Sequence, residues 1–215
     1  MHLDFTPVEP RKQPVQARSR QRFERILLES QQLIVSKGSD AVTMKDIAQA
    51  SEISIASLYQ YFPDKASVIA TLAGRHFEGG QQCVQGAFAD VTQPKQLQDA
   101  LEYMLESYYQ AFREEPATYA VWQATQSDVR LQALDREDIQ RHCQTIEQCL
   151  LRVLPTLAPS LGAQLAMLYA SSVATAVRQA VMMEPEAARC LLDACKLHLL
   201  QPSLASVLQS LGQSE

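Results

Sequence analysis

Glycine is scarce in this chain, with seven among 215 residues. Strand-type alternation broken by turn signals is equally hard to find. Folds built on tight hairpins are disfavoured and helices favoured. Cysteine is present, but not in a pattern that builds sites. The five, Cys83, Cys143, Cys149, Cys190 and Cys195, are odd in number and form no CxxC. That argues against a disulfide framework and for reduced thiols in a cytoplasmic protein. Cys195 and His198 stand three apart on a predicted helix, yet no second Cys/His pair has matching spacing, so no metal is expected. The first ten residues include Asp4, Glu9 and two prolines and do not resemble a secretory signal. Glycine-rich phosphate loops, nucleophile elbows and catalytic metal motifs are all missing, so neither enzyme activity nor a cofactor is expected.

What the chain does have is apolar residues, 47% of the total, and an uneven charge distribution. The net charge is −5, yet residues 1–75 carry ten Lys/Arg against eight Asp/Glu, and residues 76–215 nine against sixteen. Residues 11–25 hold six cations (Arg11, Lys12, Arg18, Arg20, Arg22, Arg25) and one acid, Glu24. A basic arm on an acidic body fits a nucleic-acid binder with a separate sensing part.

Three prolines mark residues 1–14 as a disordered arm. A helix follows from about Val15, with Phe23, Ile26, Leu27, Leu33 and Ile34 near one stripe and Lys37-Gly38 as its stop. Thr43 with Asp46 three residues on is a capping-box variant opening a short second helix. Ser54 caps a third, running to about Phe62 before Pro63. Two short helices joined by a tight turn are the unit that lays a helix into the major groove of DNA. On a helical wheel Ile55, Leu58, Tyr59 and Phe62 cluster on the side expected to pack on the earlier helices. Ser57 and Gln60 lie nearly opposite, flanked by Ala56 and Tyr61, a set whose chemistry suits base edges and phosphates.

A longer helix is expected from Asp64, with an end or kink at Gly79-Gly80. After Pro94 a helix to about Glu114 carries Leu97, Leu101, Met104, Leu105, Tyr108 and Phe112 on one stripe. A short helix spans about 116–126, and one or two more reach Pro155. From Leu165 to Met183 there is one charge, Arg178, so that helix needs cover on more than one side. A membrane span fits it less well, because Ser171, Ser172, Thr175, Arg178 and Gln179 make it too polar. The segment from Pro185 forms a further stripe, interrupted at Pro202 before a last short helix.

The stretch TMKDIAQASEISIASLYQYFPDKASVI, from Thr43 to Ile69, resembles the signature of the tetracycline-repressor family. The matching positions are Thr43, Ile47-Ala48, Ser54, Leu58-Tyr59, Tyr61-Phe62 and Lys65, and the resemblance covers roughly residues 16–70. It implies an all-α fold, with a three-helix helix-turn-helix DNA-binding domain (15–63) and a helical ligand-binding and dimerisation domain (64–215). It implies that Thr43 meets phosphate, that Ser54, Tyr59, Tyr61 and Lys65 contact the DNA backbone, and that Ala56, Ser57 and Gln60 face bases. With Arg18 from the basic arm, these are the candidate DNA-binding residues. The family often has Ala-Gly where this chain has Ser51-Glu52, so the turn is expected to be strained or reshaped, with Glu52 repelling phosphate. The resemblance further implies a homodimer through about 161–183 and 185–200, a palindromic operator, repression, and release by a small, largely apolar effector. Candidate pocket residues are Tyr103, Met104, Tyr108, Tyr119, Trp122, Gln123, Met167 and Tyr169.

Overall fold

A computed structural model describes residues 16–212, and every regular element among them is helical. The arm expected at 1–14, with its Arg11 and Lys12, lies outside the described residues. Contacts divide the chain into two units. One holds the residues up to Phe77 together with Glu115–Arg136, and the other holds Glu78–Glu114 together with Glu137 onward.

The first unit starts with α1 (Ala17–Lys37), which buries Phe23, Ile26, Leu27 and Ile34 along one face. Gly38 stops it at φ 76°, a conformation that glycine takes without strain, and its N–H donates to the Ile34 carbonyl at 2.9 Å. The α2 helix (Met44–Ala50) has the expected capping box: the Asp46 N–H donates to Thr43 Oγ1, and the Thr43 N–H donates to the Asp46 carboxylate. The α3 helix (Ile55–Tyr61) is capped by Ser54, whose Oγ accepts from the Ser57 N–H at 3.1 Å. Pro63 follows and holds Phe62 in extended backbone, φ −127°. The α4 helix (Lys65–Ala89) opens on Asp64, whose carboxylate accepts from the Ser67 N–H at 2.8 Å.

This unit extends past the boundary expected at residue 63. The α6 helix (Pro116–Thr125) packs on α1, and Val121, Ala124 and Leu131 join the core of Ile26, Leu58 and Phe62. Leu131 lies in α7 (Val129–Val153), a single helix where one or two were expected. Charged pairs brace the exterior. Arg75 grips Glu24 through two bonds of 2.7 Å, and Arg130 ties Asp128 to Asp64.

In the second unit, a 3-10 turn at Pro94–Gln96 leads into α5 (Leu97–Glu114). It packs on α8 (Pro159–Ala180), which α9 (Pro185–Cys195) covers on another side. Gly79-Gly80 neither ends nor breaks α4, which runs through to Ala89. Gly80 has a packing role instead: a Cβ there would stand 3.1 Å from the Tyr108 ring. The end of α4 is held by Arg152, whose Nη2 donates to the carbonyls of Phe88 and Val91. Pro202 does not break the last stripe into separate helices. A π-turn at Lys196–Leu200, where the Gln201 N–H donates to the Lys196 carbonyl, precedes it, and the chain continues directly as α10 (Gln201–Gly212). The α8 helix is long and apolar enough for a membrane span by composition, but half of its most apolar window is buried.

The α2–α3 turn is strained where expected. Glu52 has φ 55°, and among the described residues it is the non-glycine with positive φ. Its carboxylate meets Arg25 of α1 at 2.9 Å. A side chain in this region costs about 1 kcal/mol relative to glycine, while an exposed ion pair returns at most about that much. Glu52→Gly is expected to raise stability by up to about 1 kcal/mol in chemical denaturation. Glu52→Ala, which keeps the strain and loses the pair, is expected to give no gain; equal gains in both variants would contradict the strain.

Candidate nucleic-acid interface and interior cavity

The α3 helix has seven residues and takes its orientation from Leu58, Tyr61 and Phe62, all buried. Phe62 stacks on Phe23 at a centroid distance of 5.1 Å, and Tyr61 lies at 6.2 Å from the same ring. This differs from the wheel at three residues. Tyr61, expected on the outward face, is 6% exposed and shares a 2.9 Å hydroxyl hydrogen bond with Ser19. Ile55 and Tyr59, expected to pack inward, are 41% and 42% exposed. The reason is positional. The α1 helix presents its aromatic Phe23 to Tyr61 and Phe62 at the end of α3 rather than to its first turn, which draws Tyr61 inward and leaves Ile55 uncovered.

The outward surface therefore consists of Ser54, Ile55, Ala56, Tyr59 and Gln60, with Ser57 half-buried. Ser54 and Ser57 also bond to each other through their hydroxyls at 2.9 Å. Thr43 is exposed, but both its N–H and its hydroxyl donate to Asp46, at 2.9 and 2.5 Å. Those bonds hold the Asp46 carboxylate below its usual range. The Lys65 ammonium donates to the Ser39 carbonyl at 2.6 Å, which pins the α1–α2 connection to the start of α4. Arg18 is exposed on the first turn of α1. Glu52, expected to repel phosphate, has the Arg25 guanidinium beside it, which offsets its charge.

The candidate pocket residues fall in both units. Tyr119, Trp122 and Gln123 belong to the first unit, where Tyr119 and Trp122 pack at 5.7 Å and the Trp122 indole N–H donates to Asp135 at 3.2 Å. The others belong to the second unit, and two of them face outward, with Tyr103 59% and Met167 46% exposed. Tyr169 is fully buried, its hydroxyl 3.4 Å from Ser203 Oγ. Met104 and Tyr108 do meet, around a cavity of about 10 Å³ also lined by Val84, His142, Ala170, Val173 and Ala174. That is room for about one water. A larger, open groove of about 560 Å³ lies in the first unit over Leu27, Leu28 and Leu72, rimmed by Glu24, Arg25, Arg75 and Glu115.

His142 is the residue that sequence reasoning missed. It lies one turn after Asp138 and one turn before Ile146 on the buried face of α7, so two polar residues interrupt an apolar stripe. That interruption was the available signal. The ring is edge-on to Tyr108 at 6.0 Å, and its buried Nε2 has no hydrogen-bond partner. Asp138 Oδ2 stands 3.7 Å away, beyond hydrogen-bond reach. Burial, helped by the charge of Arg141, pushes the His142 pKa down to about 4. At this separation the carboxylate does not reverse that, and the ring is neutral near pH 7. Among the described residues no group of three His, Cys, Asp or Glu is arranged to hold a metal.

Known proteins resemble this chain in sequence profile and in fold. The sequence profile of bacterial regulatory proteins, tetR family, matches residues 26–72, and that of the tetracyclin repressor-like C-terminal domain matches residues 95–205. The HTH-type transcriptional repressor KstR of Mycolicibacterium smegmatis is 38% identical over 60 residues, covering 27% of this chain and 29% of KstR. KstR of Mycobacterium tuberculosis is 37% identical over 59 residues, covering 27% and 26%. The match thus spans less than a third of either repressor's length. The SmeT–triclosan complex has a similar fold, with a TM-score of 0.67 at 16% identity over 86% of this chain and 91% of SmeT.

The neutral, buried His142 makes stability pH-dependent. Its folded pKa lies below the unfolded value of about 6.5, so its contribution is complete above that pH and is lost as pH falls toward 4. Between pH 7.5 and 5 the thermal midpoint is expected to drop less steeply in His142→Gln than in the unaltered protein. Equal slopes would show that His142 does not titrate with unfolding.

Proposed function

The chain belongs to the tetracycline-repressor family of DNA-binding transcriptional regulators, and from that premise we propose that it is a cytoplasmic repressor, binding a palindromic operator as a homodimer and released by a small, largely apolar effector. The observation that carries this reading is the α2–turn–α3 unit. Its caps, its length and its outward surface suit a recognition helix, and it lies wholly inside the stretch matching the family's DNA-binding profile.

Each candidate contact has a distinct role. Arg18 and Lys65 supply positive charge to phosphates, Lys65 from a position already fixed by Ser39. Ser54 and Tyr59 flank the groove and reach the backbone, while Ala56, Ser57 and Gln60 face bases. Thr43 contributes by shaping the entry to α2, since its donors are occupied. Tyr61 acts from the core, by fixing α3 against Phe23.

A second copy of the chain is the partner for the second unit. Leu161, Met167 and Leu168 of α8, Met182 just beyond it, and Leu197 of the π-turn are 37–64% exposed. Such apolar side chains spaced along neighbouring helices favour a self-complementary interface. The effector enters between α5 and α8, where Gly80, Ala170 and Ala174 leave the least bulk to displace, with His142 as the polar group in an apolar lining. That SmeT, a protein of similar fold, forms a complex with triclosan supports a small-molecule role. Val84 of the cavity and Lys65 lie on the same helix, α4, which begins four residues after α3 ends. An effector that favours one setting of α4 biases the spacing of the two recognition helices in a dimer. A 100-fold loss of operator affinity needs about 2.7 kcal/mol of such bias, within the usual range of coupling between sites.

Three measurements test this. Sedimentation at micromolar concentration is expected to show a dimer, and a monomer would overturn the interface. On an operator selected from random duplexes, Lys65→Ala is expected to weaken binding to all sequences and lower the salt slope by about one. Gln60→Ala is expected to cost about 1–3 kcal/mol on the operator and relax choice at one base pair per half-site. Identical effects of the two across operator variants would refute the assignment. An inducing ligand is expected to bind more weakly with operator present, by the same factor that it weakens operator binding. A ligand that released DNA yet bound equally well with and without it would break the coupling.

A further inference from the structure

The surface that α3 presents has an unusual chemical content. Its exposed side chains form two ridges at i, i+4 spacing, Ile55 with Tyr59 and Ala56 with Gln60. The two serines at its start hold each other through the Ser54–Ser57 hydroxyl bond and cap the helix. No arginine, lysine, aspartate or glutamate occurs from Ile53 to Phe62. The nearest acid, Glu52, is turned to Arg25. Guanine is read in the major groove mainly by Arg or Lys, and cytosine by an acidic side chain. Neither kind of reader is on this helix.

The apolar residues need an account of their own. Ile55 is β-branched, sits at the first helical position and is 41% exposed. Only one group in the major groove is apolar, the C5 methyl of thymine. Gln60, one turn along the neighbouring ridge, matches the donor–acceptor pair of adenine. A seven-residue helix is about 10 Å long, enough to lie over roughly three base pairs at 3.4 Å each.

We infer that the base pairs beneath α3 in each operator half-site are A·T, read by packing of thymine methyls on Ile55 and Ala56 and by pairing of an adenine with Gln60. Ile55 is thereby a specificity-determining residue. The inference rests on the DNA-binding reading above and goes further by fixing the base composition that α3 selects.

The test uses the full-length protein. Duplexes with a random core are selected for binding, and the thymines of the selected half-sites are then replaced by deoxyuridine, one symmetric pair at a time. Deoxyuridine keeps every hydrogen-bonding group and removes the methyl. Losing one buried methyl-sized contact corresponds to about a fourfold weakening, so a symmetric pair is expected to cost about sixteenfold. In Ile55→Ala the cost at one such pair is expected to fall to about twofold or less, while Ile55→Val keeps most of it. Ile55 is outside the core, so both variants fold, and circular dichroism checks this. G·C pairs at the positions protected by α3, or a deoxyuridine cost that is the same in Ile55→Ala as in the unaltered protein, would overturn the inference and leave the DNA-binding reading intact. Selection of no sequence at all would overturn both.

Discussion

A helix of seven residues cannot hold its own shape in water, because nucleation is costly and so few turns return little. The α3 helix exists because Leu58 and Phe62 are fully buried and Phe23 of α1 stacks on Phe62. The outward surface of α3, and hence what it can read, follows from that one packing arrangement. Losing the Phe62 ring would cost about 3–5 kcal/mol by the usual measure of core truncation. It would also remove the reference against which Ile55, Ala56 and Gln60 are aimed. The bond between Ser19 and Tyr61 adds a polar pin at the same end.

Around this stack the first unit arranges its charges economically. The chain is net negative, and several of this unit's arginines are committed to carboxylates. Arg25 meets Glu52, Arg75 meets Glu24, and Arg130 meets Asp128 and Asp64. The Arg25 and Arg75 pairs are surface-exposed and the Arg130 pairs only partly buried, so each contributes little to stability by itself. Their value lies in placing charge: Glu52, on the strained turn, has its field offset where a polyanion would approach. The second unit uses polar groups differently. His142 and Asp138 are buried in an apolar setting, a costly arrangement that stability alone does not favour. Such groups are retained most readily where something else needs them, which is why the cavity beside His142 is the candidate effector site.

Much of this was legible in the residues. Thr43 with Asp46, Ser54 before its helix, Lys37-Gly38, Asp64 after Pro63 and the proline-led starts at Pro94, Pro116 and Pro185 set the helix limits closely. Glu52 in place of the glycine common at this turn implied a turn either strained or reshaped, and the structure has the strained form, with Glu52 at positive φ. All of these are local: a cap, a turn residue or a proline acts on backbone within one turn of itself. Gly79-Gly80 does not end its helix, because glycine's meaning depends on what comes near it, and here the neighbour of Gly80 is Tyr108, distant in sequence.

The sequence by itself determined the all-helical class, the family and the limits of the short helices at the DNA-binding end, since each depends on chemistry within a few residues. Only the tertiary structure decided which way side chains face. It turned Ile55 outward and Tyr61 inward, put Tyr103 and Met167 at the surface, and sealed His142 beside Tyr108. A wheel assigns faces from one helix alone, whereas burial is set by the partner helix that arrives, and the position of Phe23 against Phe62 is a fact about two helices at once.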